Sequence, residues 1–199
     1  MRTFFLSLIL LLVCSIGGLA QNDSDFQTLL PEFQVFSVKT CESWSLLGIS
    51  YPDGNSEGTA LLHRRPSGWE LVYRGGGALS EQELYHLGVP ISSLPDFGYR
   101  IDASALRTIR ASQPRWPRTD RAPLSEETLS LYSPWELNLM KQQILARNGQ
   151  RFEDRFWKQY FQDRPWYEED PGFVIRQLSG VALRNYKTLQ KMLERIDKR

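Results

Sequence analysis

The sequence predicts an α+β fold: a small mixed α/β N-terminal module with antiparallel strands, followed by a small three-helix C-terminal domain. Two observations carry this. Short runs of aromatic, aliphatic and β-branched residues, separated by turn residues, fill positions 33–74. Beyond about residue 124 the apolar spacing becomes helical, and capping residues bracket the periodic stretches. The 199-residue length suits one or two small domains, and 41% hydrophobic with 24% charged residues marks a chain that folds. The implied layout is a signal peptide at 1–20, the mixed module at 21–95, an Arg/Pro-rich linker at 96–123 and the helical domain at 124–199.

Four strands are expected near residues 33–39, 44–51, 59–63 and 69–73. Pro52-Asp-Gly-Asn55 is a turn between the second and third. Arg64 to Gly68 is expected to be a longer hairpin loop. In the last strand Trp69, Leu71 and Tyr73 alternate with Glu70, Val72 and Arg74, and the Trp69 face is the one expected to be buried. Gly75-Gly-Gly77 follows. A glycine run before a helix can cradle phosphate, but this one has neither the Gly-x-Gly-x-x-Gly spacing nor a following Lys-Ser/Thr, and it reads as a tight connection. The helix after it has Ser80 as N-cap, Glu83 completing a capping box, and Gly88 as its stop.

The first 20 residues form a different kind of segment. Arg2 is its only charge, residues 4–13 are apolar except Ser7, and Gly18 and Ala20 meet the small-x-small rule for cleavage. The expectation is export, with Ala20 and Gln21 flanking the cut and no transmembrane segment left after cleavage. The destination would be periplasmic, cell-envelope or extracellular. A lipid anchor at Cys14 is disfavoured because Val13 occupies the position before the cysteine that usually holds a small residue. Cleavage would leave Cys41 alone, expected to be a small buried thiol in a domain without an internal disulfide.

Lys+Arg number 24 against 23 Asp+Glu, so net charge offers nothing to attract nucleic acid, and no nucleic-acid partner is expected. The arginines are unevenly placed, however. Arg100, Arg107, Arg110, Arg115, Arg118 and Arg121 face only Asp102 and Asp120 between residues 99 and 121. They read as a solvated link, with residues 101–109 forming one short helix; the alternative is a surface tract for an anionic envelope component.

The C-terminal signals agree with one another. Ser133, Pro134 and Glu136 start a helix as N-cap, first helical position and capping-box carboxylate, and Asn148-Gly149 ends it. At about 100° per residue, Leu137, Met140 and Ile144 form one apolar stripe, and Trp135, Leu139 and Ala146 a second. Glu136, Gln143 and Arg147 share the arc between them. Arg147 is therefore expected to be at least half buried and to need a carboxylate or several carbonyl partners, with its own domain's carboxylate or an outside group left open. An aromatic helix is expected at 153–163, followed by Pro165-Trp-Tyr167 and the acids Glu168, Glu169 and Asp170. A last helix begins near Gly180 with Ser179 as cap and a stripe of Ala182, Tyr186, Leu189, Leu193 and Ile196.

These residues carry a family resemblance. Leu137, Ile144-Leu-Ala-Arg-Asn-Gly149, Phe152, Tyr160-Phe161, Pro165-Trp-Tyr167, Leu178 and Asn185 together resemble the YARHG domain across residues 124–194. Leu145 stands at the motif tyrosine and Asn148 at the motif histidine, so any role needing an imidazole there is lost. The resemblance implies an extracytoplasmic bacterial domain, occurring alone or attached to exported enzymes and kinases, and transfers no catalytic residue. The N-terminal block around Trp44, Gly68-Trp69, Gly75-Gly-Gly77 and Leu87-Gly-Val-Pro90 loosely resembles a module of bacterial exported proteins and carries no function across.

No catalytic set emerges. His63 and His86 are the only histidines, and neither a metal-binding spacing nor a Gly-x-Ser-x-Gly elbow is present. No catalytic residue, metal site or cofactor is expected. The expectation is a non-catalytic envelope binding or interaction protein, its partner an envelope component or another protein. Arg147, Trp166 and Tyr167 are the candidate binding residues, although a structural role suits each, and Trp166 is expected in the core. A hydrolase of envelope polymers and an accessory arm for an exported enzyme are the competing readings.

Overall fold

The computed structural model describes residues 25–113, 115–116, 119–178 and 180–198. The expected signal segment, Cys14, the Ala20–Gln21 cleavage position, Arg118 and the Ser179 cap lie outside the described residues.

The fold is α+β. A helical turn, α1, at residues 25–29 leads into four strands: β1 (Gln34–Cys41), β2 (Trp44–Ser50), β3 (Glu57–Arg65) and β4 (Gly68–Gly76). They pair antiparallel in the order β1-β2-β3-β4. The expected loop from Arg64 to Gly68 is shorter than the sequence suggested. Arg65 pairs with Gly68, so Pro66 and Ser67 alone make the turn. The fixed φ of proline suits the start of a turn, and Gly68 takes φ +124°. The Arg65–Glu70 ion pair at 2.5 Å closes the hairpin further.

β4 corrects the expected alternation. Leu61 lies opposite Tyr73, yet Leu62 lies opposite Leu71, so Val72 is an inserted bulge residue. Before the bulge, Trp69 and Leu71 pack with the core under α1, built on Phe26, Leu30, Leu47, Ile49 and Leu62. After it, Tyr73 turns to the opposite face and joins fully buried Val72 there. A residue inserted into one strand reverses the faces beyond it, which strict alternation cannot anticipate.

The second sheet face supports the main core. Trp44, Leu61 and Val72 meet α2 (Glu81–Leu87), α3 (Ala103–Ala111), α4 (Glu126–Leu129), α5 (Pro134–Arg147), α6 (Arg155–Gln162) and α7 (Gly180–Ile196) in one continuous apolar cluster. Among the described residues of the C-terminal part, three helices have eight or more residues, and α4 is a single added turn. Both expected capping boxes form, Ser80/Glu83 on α2 and Ser133/Glu136 on α5, and Gly88 takes the left-handed cap.

Ser133 does more than cap. Its hydroxyl accepts from the Glu136 N–H at 3.2 Å and donates to the Val72 carbonyl at 2.6 Å, joining α5 to the bulge in β4. Ser133→Ala is expected to cost about 1–2 kcal/mol, read as a lower urea midpoint at unchanged m-value. A smaller loss than an ordinary cap deletion would show that the bond to the sheet contributes nothing.

Trp135 stands at the centre of the junction. Its indole N–H donates to the Leu87 carbonyl at 3.0 Å, and its ring meets Trp44 edge-on at 5.8 Å and His63 at 5.0 Å. Tyr160 donates to the His86 carbonyl at 2.8 Å, and Tyr85 donates to the Asp163 carbonyl at 3.0 Å. The helical part is therefore built against the sheet and α2 by bonds to the end of α2 as well as by apolar contact. No helix among the described residues is long and apolar enough to cross a membrane.

Candidate functional site

Arg147 ends α5 on the arc it shares with Glu136 and Gln143. Those two are 5% and 1% exposed, and the Arg147 side chain is 14% exposed. Its Nη1 donates to Asp120 at 2.7 Å, and the Asp120 side chain is itself 15% exposed. The partner is thus a carboxylate of the same chain, from the arginine-rich stretch rather than from Glu168, Glu169 or Asp170. The guanidinium also lies over the Trp166 ring, 5.4 Å from its centroid. A planar cation can satisfy a carboxylate at its edge and an aromatic ring at its face together, which a lysine cannot do as well.

Trp166 is half-buried rather than fully in the core: its ring meets that of Phe161 edge-to-face at 5.9 Å and otherwise borders open space. The residue lies in the loop after α6 has ended at Gln162, where Pro165 cannot continue the helix. Tyr167 turns away from Arg147. Its hydroxyl donates to the Gln150 carbonyl at 2.8 Å, and its ring packs against Phe152 and Phe161. Burial, with the nearby Glu169 charge adding to it, pushes the Tyr167 phenol up to about 12. Of the three residues selected from sequence, the structure brings Arg147 and Trp166 together and gives Tyr167 a loop-holding place.

The Arg147–Trp166 pair forms a ridge between two open hollows. One, about 480 Å³, is bordered by Arg110, Ser112, Gln113, Asp120 and Arg121. The other, about 550 Å³, is bordered by Glu168, Glu169 and Asp170. One side is basic, the other acidic. The acidic side is not a loose tail: the Asp170 N–H donates to the Gly149 carbonyl at 2.8 Å, and its carboxylate accepts from the Gly172 N–H at 2.8 Å. Gly149 takes φ +90°, and a Cβ there would lie 2.6 Å from the Asp170 Cβ. Gly149→Ala is therefore expected to cost about 2 kcal/mol or more, visible as a lower melting temperature. An unchanged melting temperature would mean that the 168–172 turn yields freely.

Residues outside the three binding candidates do much of the positioning. Arg115, expected in a solvated link, is 25% exposed; it lies over the Tyr73 ring at 5.0 Å and 3.6 Å from Glu136. Burial raises the Glu136 carboxyl above its ordinary range, opposed by the Ser133 N–H and the Arg115 charge. Asn185 on α7 is 2% exposed and clamps the stretch before α4: its amide donates to Thr119 and Ala122 carbonyls at 2.7 Å each, and its oxygen accepts from the Leu124 N–H at 3.0 Å. The same stretch holds Asp120, so α7 places the carboxylate that α5's arginine uses. Cys41, expected to be buried, is half-exposed and donates its thiol to Asp96 at 2.9 Å; burial raises its pKa first, with Asp96 adding to the shift.

Both histidines are held neutral. Burial, aided by Arg65 near His63 and by Arg115 near His86, lowers each to about 4. Ser112 donates its hydroxyl to the Ile109 carbonyl, so His86 Nε2 is the donor to Ser112 at 2.7 Å, and Nδ1 is the unprotonated nitrogen. The unfolded histidine titrates near 6.5, so between pH 6.5 and 4 the unfolded chain binds the extra proton and stability falls with pH. Stability is full above that window, and His86 alone accounts for a loss on the order of 2–3 kcal/mol across it. Glu136, shifted the other way, offsets part of the loss near its own titration. Melting temperature against pH, compared with His86→Gln, checks this; identical slopes would remove His86 from the account.

No curated protein and no solved structure matches this chain. A family model does, that of the YARHG domain, over residues 114–194. The matched span begins before residue 124 and so takes in Asp120 and the segment clamped by Asn185. It also contains Arg147, Trp166 and all of α5 and α6, and on these grounds the C-terminal part of the chain is a YARHG domain.

Proposed function

We propose that the protein is an exported, non-catalytic envelope protein that binds an acidic glycan or an acidic partner surface at the Arg147–Trp166 ridge. The ridge is the observation that carries the reading. Trp166 offers part of an aromatic face for stacking, and the hollow beside it presents Arg110 and Arg121 around a guanidinium already fixed by Asp120. Aromatic faces with preset cations suit sugar rings carrying carboxylates, because the ring stacks while the anion meets a donor that is already ordered. The YARHG match supports an extracytoplasmic setting, and the segment at 1–20 supports export.

The test is retention of the purified protein on isolated cell wall, scored for bound protein and for released soluble fragments. Retention without release is expected, with roughly tenfold weaker retention for a Trp166→Ala, Arg121→Glu double variant. Fragment release abolished by one carboxylate substitution would replace this reading with that of a hydrolase. Co-purification of an exported enzyme without wall retention would make the protein an interaction arm. N-terminal sequencing of the mature protein is expected to begin at Gln21, and an uncut N-terminus would remove the export argument.

A further inference from the structure

A second site lies away from the ridge, where α6 crosses the sheet and the end of α2. A cleft of about 370 Å³ opens there, with Trp44, His63, Tyr85, Phe156, Tyr160 and Arg164 in its wall. Arg164 is the anomaly. It is 4% exposed, its guanidinium carbon lies 3.4 Å from the Tyr85 ring centroid and 4.0 Å from that of Tyr160, and its Nη2 donates to the Tyr85 carbonyl at 2.8 Å. No carboxylate among the described residues pairs with it, and its Nε and Nη1 have no hydrogen-bond partner. Arg147, in contrast, has Asp120. A buried cation with two donor nitrogens unmet is costly, and two ring faces satisfy its charge without satisfying its N–H groups. Burial lowers its pKa to about 9, consistent with a site that lacks an anion.

The geometry points to this cleft as a binding site for a small monocarboxylate, with Arg164 receiving the carboxylate. The fork of N–H donors on a guanidinium matches the two oxygens of that group. The volume is at the lower end for small-molecule sites and suits a free amino acid or a single sugar acid. Trp44, Phe156 and Tyr160 supply an apolar wall for the body of the molecule. The other charges on the rim are Arg155, Glu42 and Asp163, two of them negative, which disfavours polyanions and tolerates a ligand that also carries an ammonium or hydroxyls. Nε and Nη1 are covered in the unliganded protein. The wall therefore opens as the carboxylate enters, and binding couples to movement of the α6 end against α2.

The proposal is independent of the ridge, and its test uses the full chain. Binding is measured calorimetrically in two arms, one of free amino acids and one of glucuronate, each acid beside its methyl ester, at up to about 10 mM. In at least one arm the acid is expected to bind about tenfold more tightly than its ester and to raise the melting temperature, and the responding arm identifies the source of the carboxylate. Arg164→Lys, which keeps the charge and loses the fork, is expected to weaken the acid about tenfold. The acid–ester comparison in the unmodified protein decides the matter even if the variant fails to fold. Equal binding of acid and ester, or no binding in either arm, overturns the proposal and leaves Arg164 as a cation held by rings to join α6 to α2.

Discussion

Arg147→Ala is expected to destabilise the protein by about 3 kcal/mol, the size that follows when one member of a buried ion pair is removed. Asp120 would keep a carboxylate that is 15% exposed, without the cation 2.7 Å away that offsets its desolvation. The Trp166 ring would lose the guanidinium over its face, a smaller contribution of about 0.5–1 kcal/mol. Arg121, 3.5 Å from Asp120 but 81% exposed, offsets little of this, so the cost falls mainly on the Asp120 carboxylate and a double variant separates the causes. Arg147→Met with Asp120→Leu removes both charges and fills much of the space, and is expected to recover most of the loss. Chemical denaturation of the full chain checks both. A single variant as stable as the parent would show that the pair is screened like a surface bridge, and Arg147 would return to being a ligand contact.

Asn185→Leu is expected to cost a similar amount, about 3 kcal/mol, by a different route. Leucine keeps the branched shape of the side chain inside the core, at somewhat greater bulk, but makes none of its three bonds. The Thr119 and Ala122 carbonyls and the Leu124 N–H would be left without that partner, each at about 1 kcal/mol or more. Asn185→Asp discriminates further. A carboxylate still accepts from Leu124 but faces two carbonyl oxygens, so it should be worse than leucine above its titration range and recover as pH falls. Hydrogen exchange at the Leu124 amide reads the local event directly, with faster exchange expected in the leucine variant. Unchanged exchange would mean that segment 119–124 is held by packing alone. Because Asp120 lies in that segment, loss of the Asn185 clamp should also weaken the Arg147 pair, and the two substitutions should not add.

These two side chains show what could and could not be read from the chain. Arg147 was legible as a buried cation because its helix was legible. Ser133, Pro134, Glu136 and Gly149 bound α5, and the wheel then placed Arg147 beside two apolar stripes. Its partner was not legible. Asp120 is 27 positions earlier, in a stretch whose prolines and arginines resemble a solvated link. Asn185 appeared only as part of a family pattern, since a lone asparagine on an amphipathic helix looks like a surface residue until the strand of backbone it clamps is known. Arg164 gave no signal of its own, because the carbonyl it bonds and the ring it covers belong to Tyr85, 79 positions away. The bulge at Val72 misled the alternation of β4 for a related reason. Whether a strand takes an extra residue is decided by what its neighbour and both of its faces must bury, and that is not recorded within the strand itself.

The division follows the range of the forces involved. The four strands, α2, α3 and α5 to α7, both capping boxes, the Gly88 and Gly149 stops and the burial of the Glu136–Gln143–Arg147 arc rest on interactions between residues a few positions apart, so the sequence by itself determined them, whereas α1 and α4 were not legible in it. The identity of each buried charge's partner, the reversal of faces in β4, the single core shared by sheet and helices, and the two contrasting arginine environments were decided by the tertiary structure alone. A buried donor takes whichever acceptor the packed chain brings to it, and that acceptor's place in the sequence leaves no local trace.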